Sequence, residues 1–310
     1  EEALAALKDV AAGGLVAVGG GSPMDTAKGV AFLATNGGRL QDYMGINPPR
    51  APLPSICIPT TAGTSSEVTN NIVFTDSATR FKFGLSGPNC AATRALVDPE
   101  MTITLPKGMT AATGLDALTH AIESITSRGA YDLTRSLALD AVRLIGEWLP
   151  VAVEHGENRQ ARERMMMACL EGGIAFNQSG LTIVHAMSHP VSGWCGTAHG
   201  VANAILLPHV MAYNVGYDIE GFARVAEALG VDTRGMTRAQ AAAASVDRVR
   251  ELNRLLGIPD GLGSCGVTEA DLPNLIADSM KSAGIRRNPR PTTEADIEAM
   301  FSTNPLQLFG

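Results

Sequence analysis

The sequence predicts an α/β domain over residues 1–105 followed by an all-α domain over 106–310, and three observations carry that division. Short apolar runs broken by Gly, Pro and Thr fill the first third of the chain. After Pro106 every apolar segment repeats at helical spacing and none reads as a strand. The composition, 45% hydrophobic and 18% charged, supplies a substantial core and excludes a disordered chain.

In chain order, "GLVAVGGGS" (14–22) reads as a buried strand running into a glycine turn. "PMDTAKGVAFLAT" (23–35) has helical spacing, with Met24, Ala27, Val30, Ala31 and Ala34 on one side. "SICIPTT" (55–61) is a second short strand. "NIVFTDSATRFKFGLS" (71–86) reads as a hairpin, and "ALVDP" (95–99) as one more strand. Strands alternating with a helix predict a parallel-type sheet. The later segments, among them "GMTAATGLDALTHAIESITS" and "ARERMMMACLEGGIAF", predict helices alone. The methionine run at 165–167 reads as core filling rather than a soft-metal site.

Charge and cysteine usage narrow the function classes. A net charge of −7 gives no footing for nucleic acid. No apolar run reaches the roughly 18 residues of a membrane span. The five cysteines are odd in number and scattered, which points to a reduced, cytoplasmic setting.

Three segments carry candidate chemistry. "GGGSPMDTAK" (19–28) follows a strand and opens a helix. Ser22 fits the N-cap, Pro23 the first helical position, and Asp25 the N3 place of a capping box. Bare glycines and free helix N–H groups there suit an anion such as pyrophosphate, and also suit an ordinary strand–helix turn. "TTAGTSSEVT" (60–69) offers hydroxyls for phosphate or ribose, or simply for turns.

The third signal is histidine placement. Half of the six histidines, His185, His189 and His199, fall within "VHAMSHPVSGWCGTAHG" (184–200). Asp116 and His120 in "GLDALTHAIE" (114–123) are four apart, one turn along a helix face. Either segment alone reads as packed or surface residues. Together, on otherwise apolar helices, Asp116, His120, His185, His189 and His199 point to a divalent ion held by N and O donors, Fe2+ or Zn2+. His155 and His209 have no partners in sequence and read as surface and helix-packing residues.

With these residues assembled, the chain resembles the iron-dependent (group III) alcohol dehydrogenases. The matching segments are "GGGSPMDTAK", "IPTTAGTSSEVT", "ATGLDALTHAIE", "VHAMSHPVSGWCGTAHGVANAILLPHVMAYN" and "RNPRPTTEADI". They span nearly the whole chain in the family's order and spacing.

The resemblance implies a Rossmann-like nucleotide-binding domain followed by a helical metal- and substrate-binding domain. It implies hydride transfer between an alcohol or aldehyde and NAD or NADP, with Fe2+ as the first candidate ion and Zn2+ the second. Asp116, His120, His185 and His199 match the family's metal ligands, and His189 its unligated active-site histidine, here expected to pass a proton near the ordinary imidazole pKa of ~6.5. Gly20, Gly21 and Ser22 match the pyrophosphate loop. Thr60, Thr61 and Lys82 match positions along the dinucleotide, and Asn71 and Phe176 match the substrate pocket, where Trp194 is also expected. A homo-oligomer, a dimer or larger, is expected.

Two departures qualify the match. Ser65 stands where the family usually has the second Gly of TTAGTGSE. Only "EEALAALKDVAAG" precedes the glycine loop, where the family has further strand–helix units. The expectation is a truncated N-terminal domain, short by about half a small domain. In similar proteins that part contacts the adenine ribose, so the choice between NAD and NADP lies outside this sequence. The alternatives are a glycerol-dehydrogenase- or dehydroquinate-synthase-like enzyme and a non-catalytic metal-binding fragment. The dehydroquinate-synthase variant would call for more Lys and Arg around the ion than these segments show.

Overall fold

The structure, a computed structural model, describes residues 1–46 and 50–302. The first half begins with α1 (Glu2–Asp9), which buries none of its residues. β1 (Leu15–Gly19) then runs into α2 (Gly21–Asn36), and β2 (Ser55–Pro59) follows. β3 (Asn71–Thr75) and β4 (Lys82–Ser86) form an antiparallel hairpin, and β5 (Arg94–Ala95) is two residues long. β1, β2 and β5 make a parallel sheet in the order β1-β2-β5, with Leu15 opposite Ser55 and Gly19 opposite Pro59.

α2 covers one face of this sheet, burying Ala17 and Cys57 against Met24 and Ala27. On the other face Val16 and Val18 are exposed. The hairpin packs Ile72 and Leu85 on Phe32 at the far side of α2.

Two expectations for this half are corrected. The strand expected at 95–99 stops at Ala95, because the Asp98 carboxylate accepts the Glu100 N–H at 2.9 Å and starts a short 3-10 turn at Pro99. α2 begins at Gly21, so Gly20 is the N-cap and Ser22 lies inside the first turn without capping. Asp25 completes no capping box. It is buried, ion-paired to Lys28 at 3.0 Å, and accepts the Val73 N–H at 2.9 Å. Lys28 in turn donates to Ser66 O at 2.8 Å and Thr69 O at 3.4 Å, and the Ser66 hydroxyl donates to Asp25. These contacts fasten the 60–69 loop and the hairpin to α2.

Among the described residues no strand follows Ala95. The helical half comprises α3 (Lys107–Thr126), α4 (Asp132–Glu154), α5 (Arg159–Ser179), α6 (Ile183–Cys195), α7 (His199–Asn214), α8 (Ile219–Ala228) and α9 (Arg238–Leu255). It ends with α10 (Leu272–Met280), the short α11 (Gly284–Arg287) and α12 (Glu294–Ser302).

α3 is the axis, buried along nearly its whole length from Thr110 to Thr126. Its run of Ala, Gly and Thr lets α4, α5 and α7 approach closely. A Cβ on Gly114 would collide with Leu149 Cδ1 and meet Met165 Cε at 3.1 Å. Met165 and Met166 fill that core and Met167 faces out, as a packing role requires.

Ser65 joins the two halves. It is a buried non-glycine residue at φ +54, in the left-handed region that glycine adopts freely. What holds it there is a hydrogen bond from its Oγ to Cys169 O on α5 at 2.8 Å. The side chain occupies space left by Gly173, where a Cβ would meet Ser65 Oγ at 2.8 Å and Val68 Cγ2 at 3.0 Å.

The lost hydrogen bond and the relieved backbone strain are each worth about 1 kcal/mol. Ser65→Gly is therefore expected to leave stability nearly unchanged. Gly173→Ala alone should cost about 2 kcal/mol through overpacking, and less in the Ser65→Gly background. Denaturant unfolding of the four variants checks this, and strictly additive effects would show that the two residues do not compete for one space.

Candidate active site

The ion-binding candidates sit on three helices. Asp116 and His120 lie one turn apart on α3, His185 on the first turn of α6, and His199 is the first residue of α7. The chain doubles back between His189 and His199 through Gly196, at φ +71 and ψ 9, a left-handed C-cap that spares a side chain strain. Pro190 lies inside α6, which runs from Ile183 to Cys195.

The four side chains converge. Asp116 Oδ1 lies 3.9 Å from His120 Nε2, 3.8 Å from His185 Nε2 and 3.9 Å from His199 Nε2. Donor atoms of Asp116, His120 and His185 lie within 4.8 Å of one another, and all three residues are buried. The His120 and His185 rings stack at 4.6 Å, and Phe176 stacks on the other face of His120 at 4.4 Å. His189 stands beside this group, its ring centroid 5.9 Å from that of His185 and nearly perpendicular, and 5.2 Å from that of His199.

The far ring nitrogens set the tautomers. His120 Nδ1 faces Gly63 O at 3.2 Å and His185 Nδ1 faces Glu123 Oε2 at 2.6 Å. Donating from Nδ1 leaves each Nε2 lone pair turned to the common point. Asn203 Nδ2 donates to Asp116 Oδ1 at 2.6 Å and lies 3.2 Å and 3.3 Å from Nε2 of His185 and His199. Glu123 and Asn203, which contact these side chains directly, were not among the residues the sequence singled out. The available signal was periodicity: Glu123 is seven residues after Asp116 on an apolar helix, and Asn203 four after His199.

Burial acts on every ionisable group here, and its neighbours decide the outcome. Burial alone would raise Asp116, but His120, His185 and His199 outweigh it and hold the carboxyl well below its usual range. Burial takes His120 down to about 4 against the pull of Asp116. Burial and the Lys82 charge keep His199 and His189 well below the ordinary imidazole value. The His189 ring is therefore held neutral at pH 7, rather than evenly poised as the sequence suggested. Burial would also lower His185, yet Glu123 and Asp116 hold it up at about 9.

A cavity of about 930 Å³ runs from this cluster to the N-terminus of α2. Asp116, His120, His185, His189, His199 and Phe176 line one end, Gly21 and Ser22 the other, with Lys82 and Asn71 between. Gly20, Thr60 and Thr61, expected at the dinucleotide, are not among the residues that line it. Thr61 Oγ1 is buried without a hydrogen-bond partner, close enough that a Cβ on Gly20 would meet it at 3.5 Å. Trp194 lies outside the cavity and donates from Nε1 to Asp278 at 2.9 Å. Lys82 is the cation nearest the histidines, its ammonium lowered by burial to about 8 despite Asp116 and Asp25.

Comparison with known proteins places this geometry. Residues 1–99 match the profile of iron-containing alcohol dehydrogenase, and residues 110–304 that of the Fe-containing alcohol dehydrogenase family, C-terminal. The chain is 43% identical over 284 residues to the NAD-dependent methanol dehydrogenase of Bacillus methanolicus, covering 91% of this chain and 74% of that one. It is 43% identical over 288 residues to the 1,3-propanediol dehydrogenase of Klebsiella pneumoniae, covering 93% and 74%. The crystal structure of a 1,3-propanediol oxidoreductase superposes with a TM-score of 0.94 at 40% identity, over 97% of this chain and 79% of that one. The chain thus belongs to the iron-containing alcohol dehydrogenase family, and it is a metal-dependent oxidoreductase that moves a hydride between an alcohol and its aldehyde with NAD.

Proposed function

We propose that Asp116, His120, His185 and His199 hold the divalent ion, and that His189 moves the proton of the reaction. Gly20, Gly21, Ser22, Thr60, Thr61 and Lys82 receive the dinucleotide, and Asn71 and Phe176 flank the substrate. One observation carries the reading: three imidazole Nε2 atoms stand within 3.8–3.9 Å of a single buried carboxylate oxygen, in the lining of a cavity that also takes in Gly21 and Ser22 at the N-terminus of α2. His120 and His199 as neutral imidazoles, His185 once it gives up its extra proton to the incoming ion, and one carboxylate are a donor set suited to Fe2+ and Zn2+.

When bound, the ion supplies Lewis acidity that favours the alkoxide form of the substrate, and NAD supplies the hydride acceptor. The chain's own residues do the rest. The free N–H groups and positive end of α2 meet the pyrophosphate. Phe176 braces His120. A ring nitrogen of neutral His189 accepts the alcohol proton and returns it for aldehyde reduction. The substrate is a small alcohol, a reading supported by relatives named for methanol, 1,3-propanediol and lactaldehyde. The same reading divides the chain near residue 105 and places it in the cytoplasm as a homo-oligomer. The change from strands to helices supports that boundary. No helix of the described residues is long and apolar enough to cross a membrane.

Asp116→Ala or His199→Ala is expected to strip the ion and abolish turnover, read by metal analysis of the purified variant beside an NAD-linked rate. A full metal complement with normal activity would refute the ligand assignment.

Gly20→Ala tests the dinucleotide loop. Its Cβ would meet Thr61 only at ordinary contact distance, whereas a Cβ on Gly21 would strike Thr64 at 2.9 Å. The alanine should therefore leave fold and metal content intact and weaken NAD binding about tenfold, by standing where the pyrophosphate approaches the backbone. Unchanged NAD affinity by fluorescence titration would count against this role.

His189→Ala should keep its metal and lose roughly a hundredfold in alcohol oxidation. Because the folded imidazole titrates below the ordinary value, wild-type kcat/KM should fall only as pH drops below about 6.5. The variant should lack that acid limb. Loss of the metal, or an unaltered pH profile, would assign the proton transfer elsewhere.

A further inference from the structure

We infer that Glu123 is a positioning residue for the metal centre: it fixes the donor face of His185 and the seat of α6, and thereby sets how tightly the site holds its ion. The inference rests on the ligand assignment proposed above. Glu123 is on α3, three residues beyond His120, and only 2% exposed. Its whole accepting capacity goes to the first turn of α6. Oε1 accepts from Thr182 Oγ1 at 2.5 Å and from the Val184 N–H at 2.7 Å, and Oε2 accepts from His185 Nδ1 at 2.6 Å. Thr182, the N-cap of α6, makes no side-chain cap of its own. Its hydroxyl is spent on Glu123, so a carboxylate from another helix satisfies the end of α6.

Two consequences follow from one side chain. With Nδ1 donating to Oε2, the His185 lone pair stays on Nε2, which faces Asp116 Oδ1 at 3.8 Å. Because the same carboxylate grips the Val184 backbone, the spacing between the α3 ligands, Asp116 and His120, and the α6 ligand His185 is fixed as well. A carboxylate behind a ligating histidine orients the ring and strengthens it as a donor, and losing it typically costs about 10- to 100-fold in metal affinity.

Glu123→Gln in the full chain separates this from a purely structural role. The amide oxygen can still accept from Val184, but an NH2 group turned to His185 Nδ1 forces that atom to accept, which moves the ring proton to Nε2. The expected results are a melting temperature of the metal-free protein close to wild type, Zn2+ affinity weaker by about 10- to 100-fold in competition with a chelator, and a 15N-histidine NMR spectrum showing the switched tautomer. Thr182→Val, which removes only the anchor hydroxyl, should keep the tautomer and bind Zn2+ nearly as wild type. Zn2+ affinity of Glu123→Gln within twofold of wild type, with the tautomer unchanged, overturns the proposal. Should Glu123→Gln not fold, Glu123→Asp carries the same measurement: its shorter carboxylate cannot reach both helix end and ring, and unchanged affinity overturns the proposal there too. Asp116→Ala run in parallel distinguishes the two levels. If it loses Zn2+ while Glu123→Gln keeps it, only the positioning role fails; if it keeps Zn2+, the ligand assignment fails and the positioning role with it.

Discussion

The structure turns on one buried carboxylate. Asp116 is almost wholly enclosed, and an ionised carboxyl in that setting is tolerated only where opposite charge or donors surround it. Here Asn203 donates to it from α7, the His185 ring on α6 is held above neutrality beside it, and His120 and His199 complete the group, so α3, α6 and α7 all meet at this oxygen. That requirement constrains the helical half. α3 must be central to put Asp116 in the interior, its small residues must let neighbouring helices approach, and the chain after α6 must double back to return His199. The Gly196 turn and the Glu123 anchor are local solutions to that one demand.

The α/β half meets a different demand, which is to hold a loop and a helix N-terminus still against the helical half. Its sheet is small, and β5 adds only two residues. Polar contacts fix the cavity wall instead. The buried Lys28–Asp25 pair ties α2 to Ser66, Thr69 and the hairpin, and Ser65 ties the same loop to α5. Asp25 and Lys28 thus serve the site without being part of its chemistry. In this chain the extra hydroxyl at position 65 converts a glycine-type turn into a strut between the halves.

Much of this was legible in the residues, and the boundary of legibility has a physical shape. Periodicity gave the change from strands to helices, and the hairpin followed from two apolar runs around a polar turn. The i,i+4 pairing of Asp116 with His120 is a helix-face statement, so it survived folding intact. What failed was local chemistry overridden by tertiary partners. Ser22 and Asp25 make a good capping box on paper, but Lys28, Ser66 and Val73 claim Asp25 and the helix starts two residues early, with Gly20 as its N-cap. Trp194 was expected in the pocket, and Asp278, 84 residues away, draws it elsewhere. Glu123 stayed hidden because its partners, Thr182, Val184 and His185, lie 59–62 residues away.

The four histidines show how environment divides identical side chains into roles. His120 and His185 are buried and His189 and His199 half-buried, and loss of water by itself favours the neutral ring at each. His120 has one carboxylate and a carbonyl as neighbours and stays neutral. His199 and His189 feel Lys82 and the other rings and stay neutral as well. His185 alone stands between two carboxylates, Glu123 behind it and Asp116 before it, and is the one ring held above neutrality. A neutral imidazole is what ion binding and proton acceptance both require, and burial provides it at three positions. At the fourth, the second carboxylate trades that neutrality for orientation, because the Nδ1 proton it fixes is what keeps Nε2 aimed at Asp116. The same contrast separates the two histidines of α6: His189 lies one turn beyond His185 and lines the same cavity, yet its ring stands nearly perpendicular and the Lys82 charge, rather than a carboxylate, is the foremost charge acting on it.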